Sequence, residues 1–211
     1  MTAALRDSDA RRLEACLAGG GVAVFPADTV YGLCCDPEDE RAVRRLYALK
    51  ARPADRPAAV MFFELEPALG MLAELSECER AALAGLFPGP VTVLLENRGR
   101  RFPLACASEP STLGLRVPRL SGSLQALRTV RRALLQSSAN ISGEAEPRAL
   151  SEVPAALREG ADLVLDGGEL PGIHSTVVDI RDYERSREWH VLREGAFSIA
   201  ALERALAERP C

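Results

Sequence analysis

Short apolar runs alternate with amphipathic segments along the whole chain. Residues 8–18 place apolar side chains at helical spacing, and three glycines at 19–21 end that segment. Residues 22–25 form a continuous apolar run that is typical of a short buried strand. The same reasoning predicts helices at about 36–49, 76–86, 122–131, 152–159 and from 198 onward. It predicts strands at about 58–63, 90–95, 113–117, 133–137, 162–166, 175–180 and 188–192.

Strands and helices that alternate in this way favour one α/β domain over residues 1–211. Two of the helix starts carry capping signals. Asp36 precedes Pro37 at the expected beginning of one helix, and Ser76 and Glu79 have capping-box spacing at the beginning of another. The segments 97–112 and 181–187 have the polar composition of exposed loops.

Composition and charge exclude several classes of protein. Hydrophobic residues make up 47% and charged residues 27% of the chain, as in a globular protein. The net charge of −4 argues against nucleic-acid binding through overall charge, although a local basic groove stays possible. The six cysteines show no CxxC spacing, which argues against a zinc site. Neither a signal-peptide core nor a membrane-spanning apolar run occurs, so we expect a cytoplasmic protein that does not enter a membrane.

A basic loop is the first candidate for chemistry. Lys50, the only lysine of the chain, is followed by Arg52 and Arg56, and Pro53 and Pro57 stiffen the segment between them. Guanidinium groups match phosphate oxygens, and a lysine adds a compact charge. Because the chain has neither GxxxxGK[ST] nor GxGxxG, these side chains would have to bind any nucleotide phosphates. The alternative is that they are solvated surface charges at the end of a helix.

Small polar residues follow several of the predicted strands. One group comprises Thr29, Tyr31, Ser138, Asn140 and Ser175. Side chains at strand ends in open α/β folds often contact ligands, although ordinary turns use the same residue types. Arg116 and Arg193 lie within apolar runs, where each must be paired with an acid, bound to a ligand or placed at an edge.

Seven segments in a fixed order carry a family resemblance. They are PADTVYGL, KARPADRPAAV, FPGPVTVLL, TLGLRVP, SSANISG, HSTVVDI and VLREGAF, within about residues 20–197. This series resembles the YrdC/Sua5 family of threonylcarbamoyl-AMP synthases. The resemblance implies a single α/β domain with a twisted mixed sheet, flanking helices and a large concave, positively charged face. It also implies that L-threonine, bicarbonate and ATP are converted to L-threonylcarbamoyladenylate and pyrophosphate, the first step towards tRNA N6-threonylcarbamoyladenosine.

The resemblance also implies roles for individual residues. The catalytic residues would be Lys50 and Arg52. The residues binding threonine and bicarbonate would be Thr29, Tyr31, Lys50, Arg52, Arg116 and Ser175. The residues binding ATP would be Arg52, Arg56, Thr112, Ser138, Asn140 and Arg193. Mg²⁺ would arrive with ATP rather than on protein ligands, and a tRNA threonylcarbamoyl-transfer complex would receive the product, with weak RNA binding as a further possibility.

Three positions depart from the family pattern. Met61 stands where many members have a histidine that belongs to the threonine pocket, Ala27 replaces a threonine, and Gln136 replaces a small residue. Two alternatives therefore accompany the synthase. One is a YciO-type paralogue with weak or different activity, and the other is an RNA-binding module. The pattern KxR at Lys50 and Arg52 with SxN at Ser138 and Asn140 favours the synthase over the paralogue.

Overall fold

The computed structural model describes residues 4–207 and places nine strands of this range in one mixed sheet flanked by helices. This architecture confirms the predicted α/β fold; residues 1–3 and 208–211 of the predicted domain lie outside the described residues. The strands are β1 (Ala23–Pro26), β2 (Tyr31–Cys35), β3 (Ala59–Met61), β4 (Val91–Glu96), β5 (Thr112–Arg116), β6 (Leu134–Ser138), β7 (Leu163–Val164), β8 (Thr176–Asp179) and β9 (His190–Arg193).

The helices follow the strands along the chain. They are α1 (Asp7–Ala18), α2 (Glu40–Leu49), α3 (Leu65–Met71), α4 (Glu77–Leu86), α5 (Pro103–Cys106), α6 (Ala155–Gly160), α7 (Tyr183–Ser186) and α8 (Ile199–Ala207). Short 3-10 helices occupy Gly122–Thr129 and Leu150–Glu152. No helix in the described part of the chain combines the length and the apolar character needed to cross a membrane.

The strand order is β7-β1-β2-β6-β3-β5-β4-β8-β9. β3 pairs with β5, β4 with β8 and β1 with β7 in parallel, whereas the other neighbours are antiparallel. The register sets Gly32 of β2 opposite Ser138 of β6, and Met61 of β3 opposite Arg116 of β5. Segments that are distant in sequence are thereby brought to one face of the sheet.

The helices form where the sequence supplies apolar faces and caps. α1 buries Ala10, Leu13 and Leu17, which recur at helical spacing. At α4, the predicted capping box between Ser76 and Glu79 is confirmed, with both reciprocal hydrogen bonds present.

Several boundaries differ from the prediction. The cap of α2 is Asp39, whose side chain accepts from the Ala42 amide at 3.0 Å, rather than Asp36. β2 and α3 were not predicted, and the expected helix at 122–131 is a 3-10 helix. The two expected loops at 97–112 and 181–187 contain α5 and α7, because buried apolar side chains anchor them to the core. Those side chains are Phe102, Ala105, Cys106 and Tyr183.

Candidate active site

A cleft of about 690 Å³ crosses one face of the sheet from β6 to β9. Its floor comes from alternate strand residues, because successive side chains in a strand point to opposite faces. The floor residues in β4, in β5, and in or next to β8 are Thr92, Leu94, Thr112, Gly114, Arg116, Ser175 and Val177. Intervening residues such as Val93, Leu113 and Leu115 belong to the hydrophobic core.

Positive charge dominates the lining of the cleft. Among the described residues, six cations line it, namely Lys50, Arg52, Arg56, Arg116, Arg181 and Arg193, against three carboxylates, Glu109, Glu144 and Glu146. A cleft with this excess favours a polyanion. Nine of the eleven predicted site residues line this cleft, and the two that do not are Thr29 and Tyr31.

Lys50 connects the end of α2 to the loop after β6. Its ammonium donates to the Ser138 carbonyl, to the Asn140 carbonyl at 2.7 Å and to Asn140 Oδ1 at 3.2 Å. Its backbone carbonyl accepts from the Ser142 amide at 3.1 Å. All three ammonium hydrogens are therefore used within the protein, and Lys50 acts on a ligand chiefly through its charge.

Burial changes the proton affinity of this ammonium. Lys50 is only 2% exposed. Removal from water, and to a smaller extent the positive charge of Arg52, lower the pKa of Lys50 to about 8, and Glu146 partly opposes both effects. A bound anion would restore the charged form, so Lys50 is suited to an anionic ligand.

The side chains of Ser138 and Asn140, the two polar residues of the SxN motif, hold this segment in place along the cleft. Ser138 Oγ donates to Asn140 Oδ1 at 2.6 Å, and Asn140 Nδ2 donates to the Glu144 carbonyl at 2.6 Å. Together with Lys50 these bonds join the KxR and SxN motifs into one polar cluster. The sequence placed both motifs on ligand-facing segments, and the structure brings them into contact.

Arg52 and Arg56 form the rim of the cleft. Arg52 lies over the ring of Tyr47 at 5.6 Å and donates through Nη2 to the Pro57 carbonyl at 2.5 Å. Its Nε is buried and has no hydrogen-bond partner in residues 4–207. Arg56 is exposed, and its carbonyl accepts from the Tyr47 hydroxyl at 2.7 Å. Arg52 is thus fixed in place and retains a donor for a ligand.

Arg116 is a buried cation that the protein only partly satisfies. It is 4% exposed, and its Nη2 donates to Asp28 Oδ1 at 2.6 Å and to Thr29 Oγ1 at 2.5 Å. Its Nε has no partner within the described residues. Asp28 therefore supplies the paired acid that sequence reasoning left open, and Thr29 serves to orient Arg116. The remaining donors of Arg116 suit a carboxylate.

Tyr31 does not reach the cleft. Its side chain is fully buried; its hydroxyl donates to the Gly168 carbonyl at 2.8 Å, lies 3.0 Å from Asp166 Oδ1, and accepts from the Gly167 amide at 3.0 Å. Burial raises the pKa of Tyr31 to about 12. In this structure Tyr31 anchors the segment after β7, on the opposite side of β2 from the cleft residues.

The far wall of the cleft is built from β4, β8 and β9. Ser175 Oγ lies 2.9 Å from Thr92 Oγ1, and Arg193 Nη2 donates to the Ser175 carbonyl at 2.9 Å. Arg193 is exposed and can turn towards a ligand.

Arg181 is a site residue that sequence reasoning missed. It forms a bidentate pair with Asp179 and donates to Thr112 Oγ1 at 3.1 Å. The signal was present in the sequence, because Arg181 shares the two-residue period of Ser175 and Val177 on the cleft face.

Met61 lies beside the site rather than in it. Its side chain is fully buried, and its backbone pairs with Arg116 across β3 and β5. It is a member of the hydrophobic core, as expected for an apolar residue in this strand.

Comparison with known proteins identifies the family. Residues 15–195 match the family model named for Sua5, YciO and YrdC, whose description is telomere recombination. The chain belongs to this family. The model's name includes both Sua5 and YciO, so membership in the Sua5/YciO/YrdC family is common to the synthase and the paralogue.

Individual relatives are named for one activity. The threonylcarbamoyl-AMP synthase of Chromohalobacter salexigens is 35% identical over 175 residues, which are 82% of this chain and 93% of that protein. The threonylcarbamoyl-AMP synthase of Pyrococcus abyssi is 29% identical over 190 residues, which are 90% of this chain and 54% of that protein. The chain therefore spans about half the length of the Pyrococcus relative.

A solved structure has the same fold. The crystal structure of Pyrococcus abyssi Sua5 complexed with L-threonine aligns with a TM-score of 0.82 and 26% identity, over 97% of this chain and 59% of that one.

Proposed function

We propose that this protein is a threonylcarbamoyl-AMP synthase, which converts L-threonine, bicarbonate and ATP to L-threonylcarbamoyladenylate and pyrophosphate. The observation that carries the proposal is the polar cluster of Lys50, Ser138 and Asn140 beside Arg52, in a cleft with twice as many cations as carboxylates. The relatives named for this activity and the threonine complex of Pyrococcus abyssi Sua5 support it.

The chemistry requires positioning and charge stabilisation rather than a protein nucleophile. The threonine amine and bicarbonate-derived CO₂ form a carbamate and release a proton. A carbamate oxygen then bonds to the α-phosphorus of ATP, and the bond from that phosphorus to the pyrophosphate oxygen breaks. Negative charge grows on the equatorial oxygens and on the leaving pyrophosphate, where fixed cations stabilise the transition state most.

Each wall of the cleft has a part in this scheme. The positive charge of Lys50, which is held within the polar cluster, stabilises negative charge on the substrates. Arg52 donates a hydrogen bond to the carbamate and phosphates through the donor that the protein leaves unpaired. Arg56, Arg181 and Arg193 bind the polyphosphate from the rim. Arg116, held by Asp28, pairs with the threonine carboxylate through the donors that the protein leaves unused.

We further propose that Mg²⁺ enters with ATP. The cation-lined cleft is suited to the triphosphate, and no group of three or more His, Cys, Asp or Glu that could hold a metal occurs in residues 4–207. Mg²⁺ commonly takes most of its ligands from substrate phosphates and water. The ion would neutralise phosphate charge there.

The cellular setting is also part of the proposal. We place the protein in the cytoplasm, where the product, a reactive mixed anhydride, would pass to a tRNA threonylcarbamoyl-transfer complex. An RNA-binding module is less well supported: of the described residues that line the cleft, none is a Phe, Tyr or Trp on which a base would stack.

Pyrophosphate release tests the function. Purified protein is incubated with ATP, Mg²⁺, bicarbonate and L-threonine, each omitted in turn, and the adduct is sought by mass spectrometry. We expect release that needs both threonine and bicarbonate. Lys50→Ala or Arg52→Ala should lower turnover at least about 100-fold, the scale of losing one transition-state donor. The control is Arg44→Ala, which removes an exposed cation on α2. A folded protein that binds ATP but releases no pyrophosphate would favour the YciO-type alternative, and near-normal rates in both site variants would contradict the assigned roles.

A further inference from the structure

Glu146 carries a buried carboxylate oxygen that nothing in the described protein satisfies. It lies in the loop after β6 and lines the cleft. Its Oε1 is 3.9 Å from Arg193 Nη1 on the opposite wall. Its Oε2 is buried and has no hydrogen-bond partner in residues 4–207. An oxygen removed from water without a donor costs free energy, so we expect a ligand to supply the donor.

The position of Glu146 distinguishes it from the other acids of the cleft. Glu109 and Glu144 are exposed, whereas Glu146 is half-buried. Glu146 also lies close enough to Lys50 to raise the pKa of that ammonium against the effect of burial. The carboxylate is therefore set between a cation on each wall, Lys50 and Arg193.

The proposed substrates offer one strong partner for such an oxygen. ATP and bicarbonate are anions, which the carboxylate repels. The amino group of an α-amino acid carries positive charge, and hydrogen bonds between ionised partners are about twice as strong as neutral ones. Arg193 contacts both Glu146 and the Ser175 carbonyl, so Glu146 lies within one side chain's length of Ser175, the residue that the family resemblance assigns to threonine.

We infer that Glu146 Oε2 accepts a hydrogen bond from the amino group of the amino-acid substrate and positions its nitrogen in the cleft. This inference rests on the proposed function and deepens it. Glu146 would make the cleft select amino acids over the corresponding acids that lack the α-amino group, because only the amino group brings a charged donor to the unpaired oxygen.

Binding measurements with two ligands and two variants test this role. The ligands are L-threonine and 3-hydroxybutanoate, which is threonine without its amino group, and affinities are measured by calorimetry for the full chain. The variants are Glu146→Gln, which keeps the shape but loses the charge, and the matched control Glu159→Gln, which changes an exposed acid of α6 that does not line the cleft. We expect Glu146→Gln to weaken threonine binding about 10- to 100-fold, the worth of a hydrogen bond to a charged group. It should leave the affinity for 3-hydroxybutanoate within about twofold and should not weaken ATP binding, and Glu159→Gln should change none of the three affinities.

Each outcome decides between the possibilities. Unchanged threonine affinity in Glu146→Gln overturns the inference, and so does a loss confined to ATP and Mg²⁺, which would assign Glu146 to the nucleotide. Wild-type protein that binds both ligands equally well overturns it too, even if the variant does not fold. If the wild type makes the adduct while Glu146→Gln binds threonine normally, the proposed function stands and this inference fails. If threonine binding depends on Glu146 but no adduct forms, the inference stands and the synthase proposal fails.

Discussion

Lys50 should take up a proton when the cleft binds ATP. Its ammonium has a pKa lowered from 10.5 to about 8, chiefly by burial. At pH 8 about half of the molecules therefore carry a neutral Lys50, and at pH 6 only about 1% do. The negative charge of bound triphosphate raises this pKa again, so binding restores the missing charge. We expect Lys50 to take up about half a proton per ATP at pH 8 and almost none at pH 6.

Calorimetry in two buffers measures this uptake directly. The observed binding enthalpy at one pH is compared in Tris and in phosphate, whose ionisation enthalpies differ, and the difference gives the number of protons exchanged. The phosphates of ATP contribute nothing at pH 8, because they are already ionised and the cations keep them so. Lys50→Met, which has no ionisable group, should abolish the uptake. Equal enthalpies in both buffers at pH 8, or an uptake that persists in Lys50→Met, would refute the assignment.

The lowered pKa of Lys50 also predicts how the unfolding free energy changes with pH. A lysine that gains an acidic partner on folding stabilises the folded state less as the pH rises, whereas the effect of Lys50 should have the opposite sign. Between pH 8 and 10.5 the unfolded chain holds the Lys50 proton and the folded chain does not. The unfolding free energy should therefore rise with pH across this window, relative to Lys50→Met. Denaturant titrations at pH 7.5 and pH 10 would compare the two proteins, and parallel changes in both would contradict the linkage.

Three further substitutions test individual contacts. Asp28→Ala leaves Arg116 buried without its acid, so the unfolding free energy should fall by about 3–5 kcal/mol; a loss below about 1 kcal/mol in denaturant titration would show that the pair is not needed. Tyr31→Phe removes a hydroxyl that satisfies the segment after β7 rather than a ligand. It should cost about 1–2 kcal/mol of stability and leave threonine affinity within about twofold, whereas a tenfold weaker affinity would return Tyr31 to the threonine pocket. Arg181→Gln removes a cleft cation that no motif contains. It should raise the KM for ATP about 3- to 10-fold with little change in the KM for threonine, and an unchanged KM for ATP would assign Arg181 to its ion pair with Asp179 alone.

Much of the fold could be predicted because hydrophobic periodicity is a local signal. α1 and α4 begin and end close to their predicted bounds, since their caps and apolar faces lie within a few residues of each other. β2 could not be predicted in the same way. Gly32 and the polar residues before it are typical of a turn. In the structure Gly32 is instead part of β2, where it packs so closely against Phe25 that an added Cβ would lie only 2.9 Å from that side chain.

The same difference applies to the candidate site: features that depend on neighbouring residues could be predicted, whereas contacts between distant segments could not. Lys50, Arg52, Arg56 and the SxN residues were candidates because of their types and neighbours, and all of them line the cleft. The pairing of Arg116 with Asp28 was not, because the partners lie 88 residues apart and only the sheet brings them together. The position of Tyr31 outside the cleft could not be predicted for a related reason, since the direction of its side chain depends on the register of β2 against β6.

Cleft-facing residues alternate with core-facing residues along the strands of the cleft floor, so substitutions that change ligand recognition can be inherited separately from substitutions that change folding. Thr92 faces the cleft, while Val93, its neighbour in the chain, lies in the core. A saturation mutagenesis profile along β4 and β5 should therefore alternate, with stability selecting one set of positions and substrate the other. A descendant of this protein can change its substrate through substitutions at every second residue of a strand, while the core-facing residues between them keep the fold unchanged.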